Sequence, residues 1–320
     1  MHAIRIEEHG GPEVMRWTEL PDPSPGPGEV LVRLGAAGVN YMDVGARARG
    51  GPGWAAPAIL GVEGMGRVVA LGEGVRDPAE GDRVAWFYHP GSYAELLVVP
   101  VHSLVAVPDG VDDETAAAVL MQGLTASHLS TETHAIAPGD TAVVHAAAGG
   151  VGLMLTQLVK ARGGRVIGLV SREDKVPAAK EAGADHVLVH SGGGFEDRIR
   201  ELTGGRGADV VYDGGGADTF RSSQLALRPH GVHAYYGPFM GVPTLRPTDL
   251  PNSILLTYPV VHHHVDTRAA LLRRTGEIFD LVLADRLTPR VTGRYALADA
   301  ARAHADLESR RTTGKLLLLP

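Results

Sequence analysis

No cysteine occurs in the 320 residues. Disulfides, thiolate-bound zinc, iron–sulfur clusters and thiol nucleophiles are excluded together, and the composition suits a reducing cytosol. Aromatic residues make up only 5% of the chain, so a core must rest on Val, Leu, Ile and Ala. No apolar run reaches the ~18 residues that a membrane span needs. The first residues, Met1–Glu8, are charged and lack an apolar stretch, so no secretory signal is expected. Net positive charge is also absent. The formal charge is −7, which argues against a broad basic surface for nucleic acid or anionic membrane.

What is present is an ordinary globular balance of 44% apolar and 21% charged residues. At roughly 100–200 residues per domain, the length points to about two domains. The first third reads as short strands at Ala3–Glu7, Glu29–Ala37, Gly66–Leu71 and Asp82–Trp86, separated by Pro-Gly and Gly-Asp turns. That spacing predicts a β-rich, barrel-like domain. A helix is predicted over Asp113–Leu129. From Gly139 the texture changes to strict alternation. Strands are predicted at Thr141–Ala146, Arg165–Val170, His186–His190, Asp209–Tyr212 and Gly231–Tyr236. Helices are predicted between them at Gly150–Arg162, Lys175–Ala182, Phe195–Thr203 and Thr219–Leu227. Such a series implies a parallel sheet wound by helices on both faces. A further strand is predicted at Ser253–Val261 and helices at Thr267–Ala284 and within Tyr295–Glu308. The apolar tail Lys315–Leu319 needs a strand partner, and the N-terminal barrel can supply one. This predicts an α/β chain in which residues 1–120 and 260–320 form one domain and residues 121–259 a second, inserted one. The internal run His262-His263-His264 has no carboxylate or Cys spacing that completes a metal site, and reads as solvated.

The segment Val143-Val144-His145-Ala146-Ala147-Ala148-Gly149-Gly150-Val151-Gly152 carries the strongest chemical signal. It follows a predicted strand and opens a predicted helix, as a dinucleotide fingerprint requires. Against G-x-G-x-x-G the positions are Ala147, Gly149 and Gly152, with Ala in first place. Gly149 lets the backbone approach a pyrophosphate, the helix N-terminus offers free N–H groups, and Gly152 permits close helix–strand contact. An NAD site places an acid at the end of the second strand. Here Ser171 stands there, followed by Arg172 and Lys175, both able to meet a 2′-phosphate. The pattern favours NADP, although Glu173 and Asp174 in the same turn oppose it electrostatically.

Ala146-Ala147-Ala148-Gly149-Gly150-Val151-Gly152 resembles the signature of the quinone oxidoreductases of the zeta-crystallin type, a branch of the medium-chain dehydrogenase/reductase superfamily. So do His9-Gly10-Gly11-Pro12-Glu13-Val14, Gly38-Val39-Asn40-Tyr41-Met42-Asp43, Gln122-Gly123-Leu124-Thr125-Ala126, Val211-Tyr212-Asp213 and the ending His304…Leu307-Glu308-Ser309-Arg310. The resemblance spans essentially the whole chain. It implies a GroES-like catalytic domain plus a Rossmann domain, NADPH in the cleft between them, and a homodimer; the cytoplasm is expected from the cysteine-free composition. By position it implies pyrophosphate over Gly149, Gly150 and Val151, and 2′-phosphate held by Lys175, Arg172 and Ser171. Asn40, Tyr41 and Thr125 would lie near the nicotinamide and its ribose. Gly214 and the Tyr236–Phe239 segment, with Gly237, Pro238 and Phe239, would line the cofactor, and Arg310 would close the site. Two departures stand out: Gly45 replaces a Tyr common after the Asn turn, and His190 replaces a Tyr that stacks on adenosine.

The zinc dehydrogenases of that superfamily carry an early Cys and a G-H-E segment. Here Gly38-Val39 and Gly61-Val62-Glu63-Gly64 stand in those places, so no metal is expected and Glu63 reads as a structural carboxylate. Without a Lewis acid the site suits electron-poor acceptors, in which developing negative charge is delocalised. The expected activity is NADPH-dependent reduction of a quinone, with an activated alkene (enal, enone or enoyl thioester) as the alternative acceptor. Candidate donors to the acceptor oxygen are Tyr41, Asn40 and Thr125, with Tyr88, His89 and Tyr93 as further pocket candidates. A non-enzymatic binding role is the competing class. Asn252–Val261, an apolar strand at the expected sheet edge, is the predicted dimer contact.

Overall fold

The structure is a computed structural model that describes residues 1–51, 54–237, 241 and 243–320. The chain begins with β1 (His2–Ile6), β2 (Arg16–Glu19), β3 (Glu29–Val39), α1 (Tyr41–Arg49), β4 (Ala58–Ile59) and β5 (Glu63–Leu71). It continues through β6 (Arg83–Phe87), β7 (Leu96–Pro100), β8 (Leu104–Ala106) and α2 (Asp113–His128). Strict alternation follows: β9 (Thr141–Val144), α3 (Gly150–Ala161), β10 (Arg165–Val170), α4 (Val176–Glu181) and β11 (His186–Val189). Then come α5 (Glu196–Leu202), β12 (Ala208–Asp213), α6 (Ala217–Leu225), β13 (Leu227–Tyr235) and β14 (Leu255–Thr257). The last elements are α7 (Arg268–Leu283), β15 (Val291–Ala296), α8 (Ala300–Glu308) and β16 (Lys315–Leu319). The chain divides into two compact units, Met1–Met121 with Asp266–Pro320, and Gln122–Val265.

The first unit is β-rich. Seven strands form one sheet in the order β15-β16-β3-β5-β6-β8, with β7 also on β3, and β2-β1-β4 form a second sheet. In β3 the side chains of Val30, Val32 and Leu34 are buried and alternate with less buried ones, the period-2 signature of a sheet with one core face. They meet Ile4, Ile6, Trp86, Tyr93 and Leu316 in a single cluster. The apolar tail finds the partner its composition demands. β16 runs antiparallel to β3, with Leu316 opposite Val39 and Leu318 opposite Ala37, and parallel to β15.

The second unit is a six-stranded parallel sheet in the order β11-β10-β9-β12-β13-β14. Its central strands are buried along their whole length, TAVV in β9 and ADVVYD in β12, as a sheet covered on both faces requires. The strand order reverses between β9 and β12, so the topological switch point lies there.

Three local expectations change. The strand expected over Ser253–Val261 is only Leu255–Thr257, bracketed by Pro251 and Pro259, which have no N–H for a ladder. The Gly38–Asp43 turn leads into a helix, α1, despite Gly45 in its interior. A capping box nucleates it, with Asn40 at the cap and Asp43 at the third position. The helix expected from Lys175 opens as a 3-10 turn over Glu173–Lys175, and Lys175 becomes the cap of α4.

Candidate active site

In the second unit, the expected cofactor residues gather at one edge of one sheet. Gly149, Gly150 and Val151 follow β9, Ser171, Arg172 and Lys175 follow β10, and His190 follows β11. Gly214 follows β12 and Gly237 follows β13. All five strands are parallel, so these residues sit at their carboxyl ends, where open α/β sheets bind ligands. Pro238 and Phe239 lie outside the described residues.

The glycine loop is held by close packing. A Cβ added at Gly152 would stand 2.3 Å from the Ala146 carbonyl oxygen and 2.8 Å from the Ala147 Cα. Only glycine fits that contact between α3 and the strand end. Ala147, in place of the usual first glycine, is accommodated by a second substitution of space. A Cβ at Gly168 on β10 would lie 2.9 Å from the Ala147 methyl, so the missing side chain there makes the room. The turn runs through Ala146 at φ 46° and closes by the Gly149 amide on the Ala146 carbonyl at 2.7 Å. Gly149 caps α3 with no side-chain hydrogen bond, so no Ser or Asp side chain occupies the first-turn amides.

Beneath this loop lies a buried polar network that was not legible from spacing. Ser223 Oγ donates to Asp213 Oδ2 at 2.6 Å, and His145 Nε2 donates to Ser223 Oγ at 3.0 Å. His233 Nε2 donates to Asp213 Oδ2 at 3.2 Å, and the Gly215 amide to Asp213 Oδ1 at 2.8 Å. His145 ends the approach to the glycine loop and Asp213 ends β12, so the network ties together the two loops that flank the switch point. Burial pushes the His145 imidazole down to about 4, against the pull of Asp213. Burial alone would raise Asp213, but the His145 and His233 imidazoles and the Ser223 hydroxyl outweigh it and hold the carboxyl well below its usual range. Asp213 and His145 appear in the quoted motifs; nothing in their spacing showed that they meet.

The basic turn after β10 is not idle. Arg172 Nε donates to Asp174 Oδ1 at 3.0 Å and its Nη2 pairs with Asp174 Oδ2. Both side chains are about half exposed. The carboxylate that opposed a phosphate on paper therefore occupies the fork that would receive one. His190 is half-buried: its Nδ1 hydrogen-bonds within the His190–Gly192 turn, and it meets Phe195 at 5.3 Å with the rings nearly perpendicular.

In the first unit, Asn40 and Tyr41 start α1, and Arg310 follows α8 in a left-handed conformation at φ 57°. Tyr41 Oη donates to the Leu307 carbonyl at 2.9 Å, which brings it to the last turn before Arg310. Burial raises the Tyr41 phenol, and the Arg310 guanidinium pulls it partly back. Asn40 is almost wholly buried. Its Oδ1 accepts from Lys315 Nζ at 2.8 Å, and its Nδ2 donates to Glu63 Oε2 at 3.2 Å and the Gly38 carbonyl at 3.3 Å. Glu63 is paired with Lys315 at 2.6 Å, accepts from the Met121 amide at 2.7 Å, and is fully buried.

A helix-to-helix clamp lies next to this turn. The Arg47 guanidinium, 1% exposed, grips Glu308 by two hydrogen bonds of 2.9 and 3.0 Å and donates to His304 Nδ1 at 3.2 Å. Since Nδ1 accepts, His304 carries its proton on Nε2 and donates to Tyr93 Oη at 3.1 Å. Tyr93 in turn donates to Asp43 Oδ2 at 3.0 Å. Burial lowers His304 to about 3, helped by Arg47. Burial raises Asp43 to about 7, against the Asn40 amide, Lys315 and Tyr93. Tyr93 is thus a fully buried core residue rather than a pocket wall. Tyr88 is 41% exposed, and the His89 ring is tied to the Val98 carbonyl at 3.0 Å. Thr125 lies half-buried in α2, in the second unit. Among the described residues, no three His, Asp or Glu side chains gather as a metal would require, and no helix is long and apolar enough to cross a membrane.

Comparison with known proteins gives the family. Residues 26–109 match the alcohol dehydrogenase GroES-like domain and residues 150–277 the zinc-binding dehydrogenase family. A quinone oxidoreductase of Pseudomonas aeruginosa is 39% identical over 99% of each chain. A 2-haloacrylate reductase of Burkholderia sp is 36% identical over 99% of this chain and 98% of its own. The solved structure of Escherichia coli quinone oxidoreductase complexed with NADPH superposes with a TM-score of 0.96 at 34% identity, covering all of both chains. The chain belongs to the quinone oxidoreductase branch of the medium-chain dehydrogenase/reductase superfamily.

Proposed function

We propose that this protein is an NADPH-dependent quinone reductase. The observation that carries the reading is the glycine cradle at the switch point, where Gly152 has no room for a Cβ and the α3 amides have no side-chain cap. The Escherichia coli relative was solved with NADPH, and helix N-terminal amides without a side-chain cap suit a diphosphate. Gly149, Gly150 and Val151 would take the diphosphate, and Ser171, Arg172 and Lys175 the 2′-phosphate. His190, Gly214, Gly237, Pro238 and Phe239 complete the proposed cofactor set, and Arg310 is proposed to close the site.

When bound, NADPH supplies a hydride from its nicotinamide C4. The chain's own part is to position the acceptor, exclude water and stabilise charge on its oxygen. Thr125 in the second unit is the proposed donor, and Tyr41 in the first joins it only when its hydroxyl leaves the Leu307 carbonyl to which it donates. Asn40, with both amide ends engaged, is assigned to orienting the turn that carries Tyr41. The second reading, reduction of an activated C=C bond, is favoured by the 36% identity to the 2-haloacrylate reductase. NADPH oxidation is to be followed with 1,4-benzoquinone, a naphthoquinone, 2-chloroacrylate, a 2-alkenal and an enoyl thioester. Turnover with the quinones is expected. Turnover confined to the alkenes would move the assignment to the second reading, and NADPH binding without turnover would favour a binding role.

A homodimer in the cytoplasm is part of this proposal. Its support is the edge position of β14, where Leu255 and Tyr258 are 64% and 58% exposed. Light scattering at micromolar concentration should give twice the chain mass, and Leu255→Asp should shift it toward the monomer. A wild-type monomer would remove the dimer from the proposal.

A further inference from the structure

Lys315 stands out from the rest of the chain. It is a lysine within the last apolar strand, 2% exposed, and its ammonium lies 2.6 Å from Glu63 and 2.8 Å from the Asn40 side-chain oxygen. The place is made for it. A Cβ at Gly38 would sit 2.5 Å from Glu63 Oε2 and 2.7 Å from Lys315 Nζ, so any side chain at 38 would displace the pair. Burying an ion pair is a poor route to stability, because desolvation offsets most of the attraction. Its presence calls for another reason.

The hydrogen-bond directions supply one. Lys315 can only donate, so the Asn40 oxygen must face it and the Asn40 NH2 must face Glu63 and the Gly38 carbonyl. A flipped Asn40 amide would set its NH2 against the Lys315 ammonium and its oxygen against the Glu63 carboxylate and the Gly38 carbonyl. The pair therefore sets the orientation of one amide. Asn40 is also the cap of α1, its backbone amide donating to Asp43 at 2.8 Å, and the next residue is Tyr41. We propose that the Lys315–Glu63 pair is a positioning device that locks Asn40 and thereby aims the Asn40–Tyr41 turn at the acceptor. The inference rests on the proposed reduction of that acceptor. It deepens that reading by adding two residues that touch neither cofactor nor acceptor. Since the pair is neutral as a whole, its effect is on geometry rather than on the field at the reacting atoms.

The test compares wild type with Lys315→Met, Glu63→Gln and the double variant. In Glu63→Gln the new amide must face either the Met121 N–H or the Asn40 and Lys315 donors, so one arm fails. Three quantities are measured on folded protein: NADPH Kd by fluorescence, and kcat and KM with 1,4-benzoquinone. The expected result is NADPH Kd within about twofold, kcat lowered about 10-fold to 100-fold in each single variant, and partial recovery in the double. The double variant removes both charges, so it also covers the case in which Lys315→Met alone does not fold. Variants that melt earlier but keep wild-type kcat would overturn the proposal and leave the quinone assignment standing. A wild type that binds NADPH but turns over none of the acceptors would overturn both.

Discussion

At the residue scale, cofactor choice hangs on a few side chains after β10. Arg172 is held by Asp174 in a half-exposed pair, which is worth only about 0.2–1 kcal/mol. Arg172 is therefore released cheaply to a phosphate. Arg172→Ala should raise the KM for NADPH about tenfold while leaving that for NADH nearly unchanged. Asp174→Asn should lower the NADPH KM by up to about fivefold, and salt should erase the gain. Parallel changes for both nucleotides in steady-state kinetics would show that the turn does not meet the 2′-phosphate. Gly152→Ala is a steric test. With the Ala146 oxygen 2.3 Å from the new methyl, NADPH binding by fluorescence should weaken at least about tenfold. At this scale the glycine fingerprint was readable because sterics restrict its residue types. The Asp213 network was not, because contacts between residues 145, 213, 223 and 233 are set by strand order, which no local pattern encodes.

At the scale of elements, α1 and α8 behave as one piece. Arg47, His304 and Glu308 join them, and Tyr93 and Asp43 extend the join to the cap of α1. Two motifs far apart in sequence, the Asn40–Asp43 turn and the His304–Arg310 ending, are thus halves of one structure. Arg47→Met would leave Glu308, His304 and the Gly10 carbonyl without their donor and should cost about 3 kcal/mol by urea unfolding. The alternating strands and helices of the second unit were legible because apolar runs bounded by glycine change period visibly. α1 was hidden by Gly45 and its polar composition, although the Asn-x-x-Asp spacing at 40–43 was an available signal. β14 was overestimated, since the flanking prolines limit pairing more than apolar content promotes it.

At the scale of the whole molecule, stability between about pH 4.5 and 7 follows from three buried groups. His145 and His304, lowered from 6.5 to about 4 and about 3, stay neutral in the fold while the unfolded chain takes up protons below pH 6.5. Each therefore makes stability fall as pH falls. Asp43, raised from 3.8 to about 7, binds its proton more tightly in the fold, so its contribution is lost as pH rises toward 7. Between about pH 4.5 and 6 the two histidines outnumber the one acid. Stability should rise by roughly 1.4 kcal/mol per pH unit. Asp43→Asn should steepen that slope to about two protons, and an unchanged slope in urea titrations would contradict the assignment. Below pH 3.8, Asp209 and Asp213, both held low in the fold, progressively lose their contribution and lower stability further.

The seven-stranded sheet is closed by residues 315–319, inserted between β15 and β3. During synthesis, residues 122–265 can reach a finished fold while the chain is still growing, but the sheet that holds Asn40 cannot. Pairing of β3 and β15 with β16 must wait until Leu319 has left the ribosome. Lys315 arrives with that strand, so a nascent chain would acquire its nucleotide site first and the locked Asn40–Tyr41 turn last.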